Sequence, residues 1–220
     1  MSEIYLIRHA ESAANTGLAT ASSVDIPLTD RGREQAETLA QNFLAAKIIP
    51  TMILVSPYYR TFATATPLIR AMDPPAPVVI RDSFREISYL APQPNSTWEQ
   101  RAAARESFWT GAQTDFDFHF GGESLNDFFA RAKISCDFLT SLAGVNPNLR
   151  INPESRILAF SHEMLISALI AIAKNISRDQ FLRELTVNRL PKPRIKNTQV
   201  AKLVLADSTL EIVNENLFGI

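Results

Sequence analysis

Cysteine and histidine are scarce in this sequence: 220 residues hold one cysteine and three histidines. A lone cysteine excludes an internal disulfide framework and a cysteine-based zinc site. Cys136 falls on the apolar stripe of a predicted helix, where a thiol behaves as a small buried hydrophobe. An excess of one charge is missing as well. The formal net charge is −1, so no overall basic field draws the chain to nucleic acid. Long hydrophobic runs are lacking too, since the most apolar stretch, MLISALIAIA, is too short to span a bilayer. The opening residues, MSEIYLIR, show no basic, apolar signal segment and read as a strand. These absences predict a cytoplasmic protein with neither membrane nor nucleic acid as partner.

What is present is ordinary for a globular domain: 46% hydrophobic and 20% charged residues. The length fits one domain over residues 1–220, and no repeat, low-complexity tract or linker divides it. The runs EIYLIR and TMILV read as buried strands, PVVIR as a third strand candidate and RILAFS as a fourth strand. A helix follows Thr29, with Ala36, Leu39, Ala40, Phe43 and Leu44 on one face. TMILV ends in Ser56-Pro57, which predicts a helix cap followed by proline at the first helical position. Ser124 and Asp127 form a capping box for a helix that faces inward through Leu125, Phe128, Phe129, Ala132, Cys136 and Leu139. Another helix follows His162, a short one covers about 178–187, and two closing strands meet at Asp207-Ser208. Residues 87–122 stand apart, with both tryptophans and a polar helix candidate, and read as a lid-like excursion over one end of the sheet. Strands alternating with helices predict an α/β fold, a mainly parallel central sheet covered on both faces as a three-layer α/β/α sandwich. In such sheets the ligand crevice lies at the carboxyl ends of the strands.

That rule selects the polar residues able to meet. Arg8 and His9 follow the first strand, Ser56 and Arg60 the second, Arg85 and Glu86 the third, and Ser161 and His162 the fourth. Arg8 and His9 alone would pass for a solvated strand end. Arginines, histidines and a carboxylate at four equivalent places point instead to phosphoryl transfer through a covalent histidine. A neutral imidazole is a nucleophile near pH 7. The transferred phosphoryl group spreads its charge over three oxygens, which forked guanidinium groups match in pairs. A protonated second histidine would add a donor, and helix N-termini after Ser56 and His162 would add amides. Arginines then neutralise the phosphate, and neither a metal nor a cofactor is expected. The leaving alcohol needs a proton, and nearby phosphate charge favours keeping a carboxylic acid protonated.

These motifs resemble the histidine phosphatase superfamily (branch 1, phosphoglycerate mutase-like). LIRHAES with Asn15, PLTDRGREQA, SPYYRTFATA, FSHE and KNTQVAKL are similar to its motifs, in the same order, over nearly the whole chain. The resemblance implies a phosphoglycerate mutase-like fold. It implies His9 as the phosphorylated nucleophile, and Arg8, Arg60 and His162 as the phosphate clamp. Asn15 is implied as a further phosphate contact and Glu86 as the proton donor. The expected activity is metal-independent hydrolysis of a phosphomonoester, a small phosphorylated metabolite rather than a phosphoprotein. Phosphoglycerate mutase-type transfer and a non-catalytic phosphate-binding module are the alternatives.

The sequence also departs from the family. Ala10 stands where glycine is usual, which raises the question of the backbone angle there. Glu163-Met164 replaces Gly-Gly, and the stretch after Asn15 lacks the mutase pattern, which favours a phosphatase. Glu163 reads as a first-turn glutamate complementing a helix dipole, or as a carboxylate that meets a cationic substrate group or shares the acid duty. His119 reads as a loop or packing histidine. Arg183, Arg189, Lys192, Arg194 and Lys196 form a solvated rim or a funnel for phosphorylated substrates. Trp98, Phe108 and Trp109 pack the excursion down or line a lid.

Overall fold

The computed structural model describes residues 1–17, 24–88, 97–119, 121–142, 154–187, 195–206 and 209–219, with backbone alone for Trp98 and Val187. Its strands are β1 (Ser2–Arg8), β2 (Met52–Val55), β3 (Val78–Ile80), β4 (Arg156–Ser161), β5 (Val200–Ala206) and β6 (Thr209–Asn214). They form one sheet in the order β3-β2-β4-β1-β5-β6. The β3-β2, β2-β4 and β4-β1 pairs are parallel, whereas β5 runs antiparallel to both β1 and β6. Five of the strands therefore share a direction and β5 alone opposes it, so the expected mainly parallel sheet is present.

The helices are α1 (Asp30–Ala45), α2 (Tyr59–Arg70), α3 (Trp98–Ala112), α4 (Leu125–Ser141), α5 (Glu163–Ala173) and α6 (Arg178–Val187). The two-residue period of the central strands divides them into two layers. Ile4 and Leu6 of β1, Met52 and Leu54 of β2, and Ile157 and Ala159 of β4 share a core with α4, α5 and α6. Tyr5, Ile7, Ile53, Val55, Leu158 and Phe160 point the other way, onto Leu39 and Phe43 of α1 and Leu68 of α2. Both faces of β1 and β4 are covered, which is why residues 4–7 and 157–160 are apolar on both sides of the sheet.

Helix starts explain how the loops are aimed. Thr29 Oγ1 accepts from the Gly32 amide, a cap of the kind that contributes about 1 kcal/mol. Gly32 also sets how closely α1 approaches the loop after β1, because a Cβ there would lie 1.9 Å from the Glu11 carbonyl oxygen. Ser124 and Asp127 form the expected capping box at α4. The second helix departs from expectation. It begins at Tyr59 with Tyr58 in the capping position and no side-chain cap. Ser56 and Pro57 thus lie ahead of the helix rather than forming its cap and first turn; the Ser56 hydroxyl accepts from the Tyr58 amide (3.3 Å) and has room for a further partner.

The excursion contains α3, whose Phe108 and Ala112 are buried in the larger core, with Trp109 packed against it. Phe108 and Trp109 therefore hold the excursion down. Residues 89–96 of the proposed lid, the Trp98 side chain and the Asp207-Ser208 turn lie outside the described residues, as do Arg189, Lys192 and Arg194. Arg183, Lys196 and His119 are exposed. Cys136 is a buried free thiol. No helix among the described residues is long and apolar enough to cross a membrane.

Candidate active site

The carboxyl ends of β1, β2 and β4 carry the predicted groups into one pocket of charge. Pairing of β1 with β4 sets Arg8 opposite Ser161, so the two histidines that follow are neighbours. Their rings lie 5.2 Å apart between centroids, and both are buried, at 5% and 0% exposure for His9 and His162. Hydrogen bonds to the backbone fix the loop that carries His9. The His9 amide donates to Ser161 O (3.0 Å), the Ala10 amide to Thr64 Oγ1 (2.9 Å), and Asn197 Nδ2 to the His9 carbonyl (2.8 Å). Ala10 meets no backbone obstacle in place of glycine. It is not among the positive-φ residues, and its methyl packs with Leu28 and Ala36.

Partner chemistry sets the histidine tautomers. His9 Nδ1 lies 2.7 Å from Ala10 O. A carbonyl only accepts, so Nδ1 carries the proton and Nε2 keeps its lone pair. Burial, reinforced by Arg60 and Arg8, drives the His9 pKa well below its ordinary value and keeps the ring neutral near pH 7. For His162 the donor is Arg60, whose Nη2 lies 3.2 Å from Nδ1. Guanidinium has no acceptor, so Nδ1 accepts and the proton sits on Nε2, which donates to Ser56 Oγ at 2.8 Å. Burial, then Arg60, His9, Arg8 and Arg131, lower the His162 pKa well below its ordinary value. The resting second histidine is therefore neutral, not protonated as the sequence suggested. Burial is the main cause, and Arg60 and Arg8, which the sequence reading counted only as phosphate ligands, reinforce it.

Arg60 is buried under the Tyr58 ring, with its guanidinium carbon 4.8 Å from the centroid. Burial brings its pKa down to about 10, and it remains a cation at neutral pH. Arg8 is 6% exposed, with Nη1 bonded to Ile195 O (2.5 Å) and paired with Glu163 Oε2 (3.3 Å). Its Nε is buried and has no hydrogen-bond partner among the described residues. A donor of this kind is costly to leave unmatched, and an anion beside His9 would match it. The loop ahead of β5 is held in strain to support this arginine. Thr198 sits at φ +60°, an unfavourable region for a β-branched residue, and its amide donates to Arg8 O (3.1 Å).

Glu86 follows a 3-10 turn at Asp82–Phe84. Its carboxylate accepts from the Ile87 amide (3.1 Å) and from the Met164 amide (3.2 Å) in the first turn of α5. Burial raises its pKa above the carboxyl norm, Glu163 adds to the rise, and the two amides and Arg60 oppose it. A carboxyl shifted this way holds its proton to higher pH, which suits a general acid. Asn15 is exposed on the 3-10 turn after Ser12. Its Oδ1 accepts from the Ser12 amide and hydroxyl (3.0 Å each) and from Asn197 Nδ2 (3.4 Å). The carbonyl end thus serves the loop, and the amide nitrogen is the end left to meet a ligand. Arg85 turns away from the histidines to Glu123, with Nη2 3.4 Å from Oε1.

Sequence reasoning missed Ser56 as the anchor of His162, because a serine before proline reads as a helix cap. It also missed Arg131 and Glu123. Arg131 had a visible signal: it lies on the buried face of α4 beside Phe128, Ala132 and Ser135, and a charge on such a face needs partners. Among the described residues, no group of three or more His, Cys, Asp or Glu side chains could hold a metal ion.

Two neighbouring histidines thus lie beside Arg8 and Arg60 at the carboxyl edge of an α/β sheet. The model for the histidine phosphatase superfamily (branch 1) matches residues 4–217, and the chain belongs to that family. It is 28% identical over 202 residues to a protein of Erwinia tasmaniensis named "Probable phosphoglycerate mutase GpmB", covering 86% of this chain and 85% of that one. Solved structures share the fold. An alpha-ribazole phosphatase from Shigella flexneri superposes with a TM-score of 0.73 at 21% identity, covering 97% of this chain and 96% of that chain. A phosphoserine phosphatase from Entamoeba histolytica, in complex with phosphoserine, gives 0.67 at 20% identity over 99% and 98%.

Proposed function

We propose that this protein is a metal-independent phosphomonoesterase working through a phosphohistidine on His9. The observation that carries the reading is the His9 tautomer, with Nδ1–H on the Ala10 carbonyl and the Nε2 lone pair available. In the first step Nε2 attacks phosphorus and the bond from phosphorus to the ester oxygen breaks. Arg8, Arg60 and the Asn15 amide take the charge of the phosphoryl oxygens, and the α5 N-terminus adds a favourable dipole. The dianion raises the proton affinity of His162, which then becomes a charged donor. The Glu86 carboxylic acid gives its proton to the leaving oxygen. In the second step Glu86, now a carboxylate, takes a proton from water as the water oxygen attacks phosphorus. The bond from phosphorus to Nε2 breaks, inorganic phosphate leaves, and neutral His9 and the protonated Glu86 return.

Family membership supports phosphatase chemistry, and the names of the Shigella and Entamoeba structures support a small phosphorylated metabolite as substrate. The name of the Erwinia relative supports a second reading, transfer to a new hydroxyl. Incubation with 3-phosphoglycerate separates the two: a phosphatase yields inorganic phosphate, a mutase yields 2-phosphoglycerate. The mechanism is tested by brief incubation with a phosphate-labelled phosphomonoester and mapping of acid-sensitive label. Label on His9, absent from His9→Ala and insensitive to exhaustive chelation, is the expected result. Label that persists in His9→Ala, or activity that requires a divalent ion, refutes it.

A further inference from the structure

Four consecutive backbone carbonyls, from Ser83 to Glu86, are bonded by side chains rather than by a strand or helix. Arg131 Nη1 donates to Ser83 O (3.0 Å) and Arg85 O (2.7 Å), and Arg131 Nη2 reaches Glu86 O (3.4 Å). Ser135 Oγ donates to Ser83 O and Ser161 Oγ to Phe84 O, each at 2.8 Å. Arg131 is itself held. Its Nε and Nη2 form a two-pronged pair with the Glu123 carboxylate at 2.6 and 2.8 Å, and both side chains are 9% exposed. Such a planar fork satisfies a carboxylate and several carbonyls at once, which a lysine cannot do.

We infer that Arg131, locked by Glu123, is a positioning residue that aims the Glu86 carboxyl at the leaving oxygen. It works through the backbone of the acid segment and not on the substrate. This role requires Glu86 to be the general acid of the proposed phosphatase reaction. Glu123 stands where the excursion returns to α4, so the same pair ties the lid-like segment to the acid. A misplacement of about 1 Å at a reacting group can cost on the order of 100-fold in rate. That loss must appear only where the acid is needed. An alkyl phosphate leaves as a basic alkoxide and needs the proton, whereas nitrophenolate is a stabilised anion and hardly does.

The experiment compares kcat/KM of the wild type, Glu86→Gln, Arg131→Lys and Glu123→Gln on p-nitrophenyl phosphate and on an alkyl phosphomonoester such as phosphoserine. Glu123→Gln keeps the side-chain shape and serves if Arg131→Lys fails to fold. Expected is a loss of about 10- to 100-fold on the alkyl ester, several times smaller on the nitrophenyl ester, in variants whose melting shows a folded protein. Adding Glu123→Gln to Glu86→Gln should then cost little more on the alkyl ester, because both changes remove one function. Equal losses on both esters, no loss on either, or fully additive losses overturn the inference. If Glu86→Gln itself shows equal losses, or the wild type hydrolyses neither ester, the underlying catalytic reading fails and takes this inference with it.

Discussion

Replacing Arg60 by lysine keeps a positive charge and removes almost everything else that the structure gives this residue. Arg60 Nη2 donates to His162 Nδ1 at 3.2 Å while the guanidinium lies 4.8 Å from the Tyr58 ring centroid. An ammonium offers no fork for two phosphoryl oxygens and no plane to lie on the tyrosine. Loss of one donor to the transition state costs on the order of 100-fold or more in turnover. A second effect comes from burial. The site brings the arginine down to about 10. Lysine starts from an ordinary value about two units lower, near 10.4, and its ammonium is more strongly hydrated. The same surroundings therefore bring it within reach of neutral pH. Arg60→Lys should thus lose activity in two ways: a drop of about 100-fold at pH 6, and a further decline with rising pH as the ammonium deprotonates. The assay is kcat/KM against pH for p-nitrophenyl phosphate, chosen because its departure hardly depends on Glu86. Near-full activity, or a profile parallel to the wild type, would refute the clamp role.

Glu86→Gln should lower phosphohistidine formation from an alkyl phosphate by about 100-fold, and from nitrophenyl phosphate far less, in pre-steady-state measurements with both esters; equal losses would leave Glu86 as an orienting group or the base for water. Stability should fall on acidification, because His9 and His162 are both buried neutral with lowered pKa values. The unfolded chain takes up protons near 6.5 where the folded chain does not, so their contribution is complete above 6.5 and is lost as pH falls toward each lowered folded value. Glu86 opposes this: its raised pKa contributes stability that is complete below about 4.5 and lost as pH rises through the folded value. Thermal melting between pH 7.5 and 5 should show the two histidines prevailing, and His162→Gln should flatten the slope; an unchanged slope would contradict their buried, neutral state.

Much of this molecule is written locally. Thr29 and the Ser124-Asp127 box mark their helices because a capping side chain acts on amides only two or three residues away. The alternation of Ile4 and Leu6 with Tyr5 and Ile7 onto opposite cores follows from the strand period. The rule that sites gather at strand ends was enough to bring Arg8, His9, Arg60, Glu86 and His162 together. What escaped the sequence depends on distant partners. Ser56 meets a histidine 106 residues away, and Arg131 meets carbonyls 45 to 48 residues away. The neutrality of His162 was also hidden, since it arises from burial and summed charges that exist only once the chain is folded.

The short loop ahead of β5 has a bearing on when this protein can begin to work. Arg8 leans on Ile195, 187 residues along the chain, and the His9 carbonyl on Asn197, 188 residues along. β1 is flanked by β4 and β5, so neither of its hydrogen-bonding edges is matched until the chain has passed residue 156. As the chain is synthesised, His9 is made 188 residues ahead of Asn197, the residue that holds its carbonyl. The site is thus assembled only after the loop ahead of β5 has been made, and a chain broken off before residue 195 carries His9 without the loop that supports it.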